Sequence, residues 1–376
     1  MLRRSVGGGV SIPPRFALLE AVTHTLNTMD AGTVDETAGQ ATDIAIISTG
    51  GTFGMQASVR GLAPAPVADR IDALLRSSPI PGLRYTVSEL SPQIDSANAT
   101  PAAWQQIVET IDACYDQFDG FVIVHGTDTM AYAAAAVSYV FSDRGKPIVF
   151  TGAQRPLSAS DSDGPANLVG ALKHLLLARP GTVDIYFGGT VLSATRAIKY
   201  STTSDSAFIE APRHFGASGQ DGTAGAGALD FAAYSDIEIP VIRVYPGISA
   251  RVVSAILGAD VPAAVLQCYG FGNVPAGTDG LIDSLARATA RGQVIVAVTQ
   301  CVDGVITLGA SEVSTSLADA GVIDGADLTT EAALTKLHYL FGCNLPATAV
   351  REIFGSSRSA ERAPVSQQSQ QQLGKA

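Results

Sequence analysis

The chain has 376 residues, long for a single hydrophobic core and comfortable for two domains. Its 46% hydrophobic and 16% charged residues, with a mean hydropathy of +0.23, provide ample apolar material for buried sheets and subunit contacts. A net charge of -11 and a pI near 4.8 argue against a nucleic-acid partner, which requires clustered Lys and Arg, and no uncharged apolar stretch is long enough for a membrane span.

Residues 1–42 read as an extension with one short helix around residues 16–26. Gly7 to Gly9, two prolines and Glu20 interrupt any apolar export signal after Met1-Leu2-Arg3-Arg4. The apolar run Ile44-Ala45-Ile46-Ile47 then ends in the turn Thr49-Gly50-Gly51-Thr52-Phe53-Gly54. Thr100-Pro101 opens a helix, the threonine as cap and the proline at the first position, where a missing N–H costs nothing. Trp104, Ile107, Val108, Ile111 and Tyr115 follow at helical spacing. Next come a strand over Phe121-Val122-Ile123-Val124, the turn His125-Gly126-Thr127-Asp128-Thr129, and a helix from Met130 to Phe141. Strands at Ile148 to Phe150, ending in Thr151-Gly152, and at Val183 to Phe187 complete the series.

Strands alternating with helices predict an α/β fold with a larger N-terminal doubly wound sheet domain over 43–215. Residues 216–240, rich in Gly, Ala and Ser at their start, read as a linker. A smaller C-terminal α/β domain over 241–355 is expected to carry strands at Val241 to Val244, Ala264 to Cys268 and Val294 to Thr299. Its last helix carries Leu334, Leu337 and Leu340 on one face. The Ser-, Gln- and Arg-rich residues 356–376 read as a disordered tail. Cys114, Cys268, Cys301 and Cys343 are widely separated, which fits reduced, mostly buried thiols of a cytoplasmic protein; no metal-ligand spacing occurs, and no metal or cofactor is expected.

Each threonine-rich turn puts hydroxyls at the end of a buried strand, where ligands bind in open parallel sheets. The first turn lacks both dinucleotide and phosphate-loop glycine patterns and could be only a tight strand-to-helix connection. Asp128 lies where a helix begins, so it is either an N-cap or a carboxylate aimed at a substrate ammonium. His125 reads as a structural hydrogen-bonder rather than a base. Lys199 is either a surface lysine or a buried amine beside Thr127 and Asp128 that takes a hydroxyl proton. Ser96, after Asp95 and before a helix N-terminus, is either a turn residue or a carboxylate binder.

Together these pieces resemble the L-asparaginase family of two-domain amidohydrolases, over about Ala45 to Phe354. The blocks TGGTFGM, HGTDTMAY, TGAQRPL with SDGPANL, VYPGIS, YGFGN, RGQVIVAVTQC and ADLTTEAALTKLHYL carry the resemblance, which is nearer the cytoplasmic type I branch. It implies that Thr52 attacks a side-chain amide, ammonia leaves, and water hydrolyses the acyl-enzyme. It further implies that Thr127, Asp128 and Lys199 activate an attacking hydroxyl or water, that Asp128 and Ser96, with Asp95 beside it, bind the amino and carboxylate groups of asparagine, and that Asn273 reaches a neighbouring subunit's site. The partners implied are therefore L-asparagine and further copies of the chain, as a homodimer or homotetramer.

One departure stands out. Where the family carries a loop tyrosine in a Gly-Tyr-x-Pro context, this chain reads Gly61-Leu62-Ala63-Pro64. Either Thr127 and Lys199 take over, or another tyrosine such as Tyr200 is recruited, or the enzyme is weak or has a different substrate. Asn98 and the stretch Ser204-Asp205-Ser206 also leave substrate preference open. Two rivals follow: an amidase supplying ammonia to a tRNA-dependent amidotransferase, and a catalytically silent amino-acid binder.

Overall fold

The computed structural model describes residues 41–59, 61–63, 65–142, 144–214, 229–234, 236–258, 261–277 and 280–361. The larger domain contains strands β1 (Thr42–Ser48), β2 (Gln56–Ser58), β3 (Gly61–Ala63), β4 (Leu83–Glu89), β5 (Gly120–Val124), β6 (Ile148–Thr151), β7 (Val183–Phe187), β8 (Thr190–Ser193), β9 (Ala197–Lys199) and β10 (Phe208–Glu210). Its helices are α1 (Ala68–Ser77), α2 (Pro101–Cys114), α3 (Met130–Phe141) and α4 (Gly164–Leu175).

Six strands form one sheet in the order β4-β1-β5-β6-β7-β8. Neighbours are parallel except β7 and β8, which are joined by Gly188-Gly189, both at positive φ as a two-residue hairpin requires. Side chains alternate between two clusters. Ala45, Ile47, Phe121, Ile123, Ile148 and Phe150 pack with α2 and α3, whereas Ile44, Ile46, Val122, Val124 and Val149 pack with α1 and α4. Both faces are covered, so the sheet is doubly wound, and its strands read as continuous apolar runs for that reason.

The smaller domain comprises β11 (Val241–Arg243), α5 (Ala250–Leu257), β12 (Ala263–Cys268), α6 (Leu281–Ala290), β13 (Val294–Thr299), α7 (Glu312–Asp319), β14 (Ile323–Asp324), α8 (Thr330–Gly342) and α9 (Ala347–Glu361). Its four strands are parallel in the order β11-β12-β13-β14. Buried Leu337 and Leu340 of α8 share the cluster that also holds α3 and the inner faces of both sheets. Tyr139 stacks on Tyr339 with ring centroids 5.8 Å apart and donates to the Ala332 carbonyl at 3.2 Å. Helix α3 is thus buried almost all round, with the sheet on one side and α8 on the other, which is why its alanine run shows little amphipathicity.

Several expectations need correction. Thr100 sits at the N-cap of α2 but makes no side-chain cap; Pro101 at the first turn is as expected. The segment 229–234, assigned to a linker, packs as part of the core: Tyr234 is 5% exposed and donates to the Ala136 carbonyl at 2.7 Å. The tail begins as helix, since α9 runs to Glu361, past the expected boundary at 355. Most of the extension, its short helix, and residues 215–228 and 362–376 lie outside the described residues. Cys114 and Cys268 are buried, Cys343 is half-buried and Cys301 is exposed, all as free thiols. Among the described residues, no helix is long and apolar enough to cross a membrane.

Candidate active site

The strand order reverses between β1 and β5, because the chain passes from β1 to β4 on one side before returning to β5 on the other. Loops leaving the carboxyl ends of those two strands diverge and open a crevice. They are the two threonine-rich turns.

Glycine brings these turns into contact. Gly51 has φ +83°, and a Cβ there would lie 2.3 Å from the Gly126 Cα; a Cβ at Gly126 would lie 2.3 Å from the Ser96 Oγ. No side chain fits at either position, so the Thr52 and Thr127 turns are stacked backbone to backbone, and the Ser96 side chain packs directly on the Gly126 backbone. Hydrogen bonds fasten the stack. The Thr49 N–H donates to the Val124 carbonyl at 2.9 Å, the Ile94 N–H to the Thr49 carbonyl at 2.6 Å, and the Thr129 hydroxyl to the Ser96 carbonyl at 2.8 Å.

Lys199 arrives at this crevice from β9, which pairs antiparallel with β10 outside the main sheet. Its Nζ donates to Thr127 Oγ1 at 2.8 Å and to Asp128 Oδ1 at 2.6 Å. The Lys199 side chain is 20% exposed and that of Asp128 59%, so the amine is sheltered while the carboxylate faces the opening. Thr127, 5% exposed, donates in turn to Gln154 Oε1 at 3.4 Å. A hydroxyl, an amine and a carboxylate in one chain of hydrogen bonds can pass a proton and hold a cationic group.

Thr52 starts the short 3-10 turn Thr52–Gly54 immediately after Gly51 and is half-buried. Its hydroxyl makes no side-chain hydrogen bond among the described residues. Ser96 is 4% exposed and opens a 3-10 turn capped by Asp95, whose carboxylate accepts from the Ala97 N–H at 3.2 Å and from Asn98 Nδ2 at 3.0 Å. Asp95 therefore serves its own turn. Asp128 is not the N-cap of α3: Thr129 holds that position, and Asp128 is held by Lys199 instead of helix N–H groups. Asn273 lies on the loop after β12, its partners being Tyr269 and Ser311, whose hydroxyl donates to Asn273 Oδ1 at 3.1 Å. In this single chain it does not join the Lys199 group.

His125 is 1% exposed, its Nδ1 2.8 Å from the Gly126 carbonyl, and burial pushes its pKa down to about 4. It is neutral at pH 7 and locks its own turn. Tyr200 is 70% exposed. Leu62 lies in the β2–β3 hairpin, opposite Ala57.

Gln154 escaped the sequence reading although it follows β6 at the same offset as Thr127 follows β5. Asp163 and Asn167 anchor that loop. The Asp163 carboxylate accepts from the Gln154 and Arg155 N–H groups, both at 2.9 Å, and Asn167 donates to the Gly152 carbonyl at 3.0 Å while accepting from the Gly188 N–H at 2.9 Å. Arg155, paired with Asp205 at 2.6 Å, holds that carboxyl below the usual range and ties down the segment after Lys199.

Comparison with known proteins matches residues 43–220 to the family "Asparaginase, N-terminal" and residues 238–354 to "Glutaminase/Asparaginase C-terminal domain". The chain is 38% identical over 336 residues to L-asparaginase 1 of Escherichia coli strain K12, covering 86% of this chain and 99% of that protein. The crystal structure of L-asparaginase I from Vibrio cholerae is 36% identical with a TM-score of 0.71, covering 86% of this chain and all of that one. The thermostable L-asparaginase from Thermococcus kodakarensis is 27% identical with a TM-score of 0.73, covering 86% of this chain and 99% of that one.

Proposed function

Because the chain belongs to the asparaginase family, we propose that it hydrolyses the side-chain amide of L-asparagine to L-aspartate and ammonia, with Thr52 as nucleophile. The observation that carries this reading is the Lys199 amine, bonded to both Thr127 and Asp128 at the carboxyl edge of the sheet, beside the turn that holds Thr52.

A threonine hydroxyl attacks poorly until a base takes its proton. In this scheme the Thr52 oxygen bonds to the amide carbon, and its proton passes to the leaving nitrogen, which departs as ammonia. The ester left on Thr52 is then cleaved by a water that Thr127, Asp128 and Lys199 activate. Backbone N–H groups of the two turns meet the oxyanion in both steps. Ser96 receives the substrate carboxylate and the exposed face of Asp128 its ammonium. No step needs a metal.

The reading extends to an oligomer. Tyr245, Phe271 and Val302 are 49%, 45% and 45% exposed, on the loops leaving the carboxyl ends of β11, β12 and β13. Three apolar side chains on the loops at that edge of the sheet, the β12 loop also holding Asn273, support a surface that meets another copy and delivers Asn273 to its site. The four free cysteines support a reducing, cytoplasmic compartment.

Leu62 favours one second reading, a silent amino-acid binder, since the loop hydroxyl of the family pattern is missing. Ammonia release from asparagine by purified protein, with Thr52→Ala as control, tests both. Turnover that Thr52→Ala abolishes supports the proposal. Asparagine binding seen by calorimetry without ammonia favours the binder, and equal rates in the variant remove Thr52 as nucleophile.

A further inference from the structure

The two domains meet at a buried guanidinium. Arg196 is 6% exposed and directly precedes β9, the strand that ends in Lys199. Its Nε and Nη2 donate to the Ala211 carbonyl at 3.1 and 3.0 Å, and Nη2 also reaches the Pro212 carbonyl. Nη1 donates to the Asp327 carbonyl at 2.8 Å and lies 3.4 Å from the Asp327 carboxylate, which is 12% exposed. Asp327 belongs to the smaller domain, between β14 and α8, and its Oδ2 also accepts from the His214 N–H at 3.1 Å.

We propose that Arg196 is a positioning residue for the Lys199 amine, acting through this clasp to Asp327. The inference rests on the amidohydrolase reading above and adds the second domain to its machinery.

Strand β9 has three residues and pairs with the three residues of β10, with no partner in the six-stranded sheet. A two-stranded ribbon of that length is marginal alone, so its position depends on what grips its ends. At the β9 end, Arg196 is gripped twice: its carbonyl accepts from the Ala211 N–H at 2.9 Å, and its side chain returns to the Ala211 carbonyl before reaching Asp327. Arg196 closes the turn that leads into β9, its N–H donating to the Ser193 carbonyl at 2.9 Å, and stands three residues before Lys199. The guanidinium therefore holds the start of the strand to Ala211 and Asp327 while the amine at its end reaches Thr127 and Asp128.

The other half of the hydrogen-bonded group has the same support. Thr127 and Asp128 lead into α3, and α3 is held by α8, which begins three residues after Asp327, through the Tyr139 bond to Ala332 and the Tyr139–Tyr339 stack. One segment of the smaller domain thus fixes both sides of the Lys199 contact. A planar fork with five donors suits a cage of three carbonyls and a carboxylate; an ammonium does not.

The test uses the full-length protein with Arg196→Met, Arg196→Lys and Asp327→Asn. A misplacement of the order of 1 Å costs up to about 100-fold in rate. Arg196→Met is therefore expected to lower kcat by about 30-fold with KM changed by less than about threefold, and added guanidinium chloride at low millimolar concentration to restore part of kcat. Arg196→Lys is expected to lose nearly as much. Asp327→Asn, which keeps the carbonyl and the shape, is expected to lose about tenfold and stands in should Arg196→Met fail to fold. Acylation of the Lys199 amine by acetic anhydride, read by peptide mass spectrometry, is expected to rise severalfold as its bonds to Thr127 and Asp128 loosen. Folded variants with wild-type kcat and wild-type Lys199 labelling overturn the clasp. If the wild type releases no ammonia from asparagine, the activity reading fails, while the labelling still decides this one.

Discussion

Replacing Lys199 with methionine separates catalysis from stability. The substitution keeps an unbranched stem of similar length and removes the donor that reaches Thr127 at 2.8 Å and Asp128 at 2.6 Å. Asp128 stays 59% exposed, so water solvates the carboxylate left behind. The pair behaves as a screened surface ion pair, and its loss costs about 0–1 kcal/mol of stability. At roughly 2–4 °C per kcal/mol for a domain of this size, Tm moves by no more than about 4 °C. Activity responds on another scale. Removing general-base help costs about 10²–10⁴-fold, a barrier increase of about 2.7–5.4 kcal/mol. The assay pairs steady-state ammonia release from asparagine with thermal unfolding of the same preparation. A kcat within threefold of wild type in the folded variant refutes the role given to Lys199, and a Tm loss above about 10 °C refutes the solvation argument.

Three further outcomes are expected. Gly51→Ala forces a Cβ to within 2.3 Å of the Gly126 Cα at φ +83°; prising the turns apart should lower kcat/KM by more than about 100-fold, and a wild-type value refutes the stacked-turn geometry. Leu62→Tyr is expected to raise kcat by at least about tenfold if the β2–β3 hairpin lacks a working hydroxyl, whereas no gain places the base elsewhere. Burial pushes the pKa values of His125 and His338 down to about 4 from the ordinary 6.5. The unfolded chain binds protons first as pH falls, so stability is complete above about pH 6.5 and drains towards pH 4, by roughly 3 kcal/mol for each histidine. Urea unfolding at pH 7, 5.5 and 4.5 measures this, and His125→Asn should flatten the slope.

The strands and helices near the site were legible because each has a local cause. Met130 to Phe141 ends where the apolar run ends, and the turns after β1 and β5 carry the glycines and threonines that a strand exit needs. The site candidates were legible as residue types at strand ends. Assignments that depended on a partner fared worse. Thr100 and Asp128 both look like caps, yet Thr100 makes no cap bond and Asp128 is taken by Lys199. Tyr234 sits in a stretch that reads as a linker, and only the groove between α2, α3 and α8 explains its burial. Gln154 was passed over because nothing local marks a glutamine that meets a hydroxyl 27 residues away.

Propensity, periodicity and turn chemistry act over a few residues, and through them the amino-acid order alone determined the α/β alternation, the two-domain plan and the chemical types available at each strand end. Tertiary structure alone decided which of those ends meet. Lys199 and Thr127 are 72 residues apart, and the contact of Gly51 with Gly126 exists only because β1 and β5 are neighbours across the reversal in strand order. The partner of Arg196 lies 131 residues further on, in the other domain. Such meetings are set by how whole elements pack, since a hydrogen bond between distant residues forms only after the cores that carry them have closed.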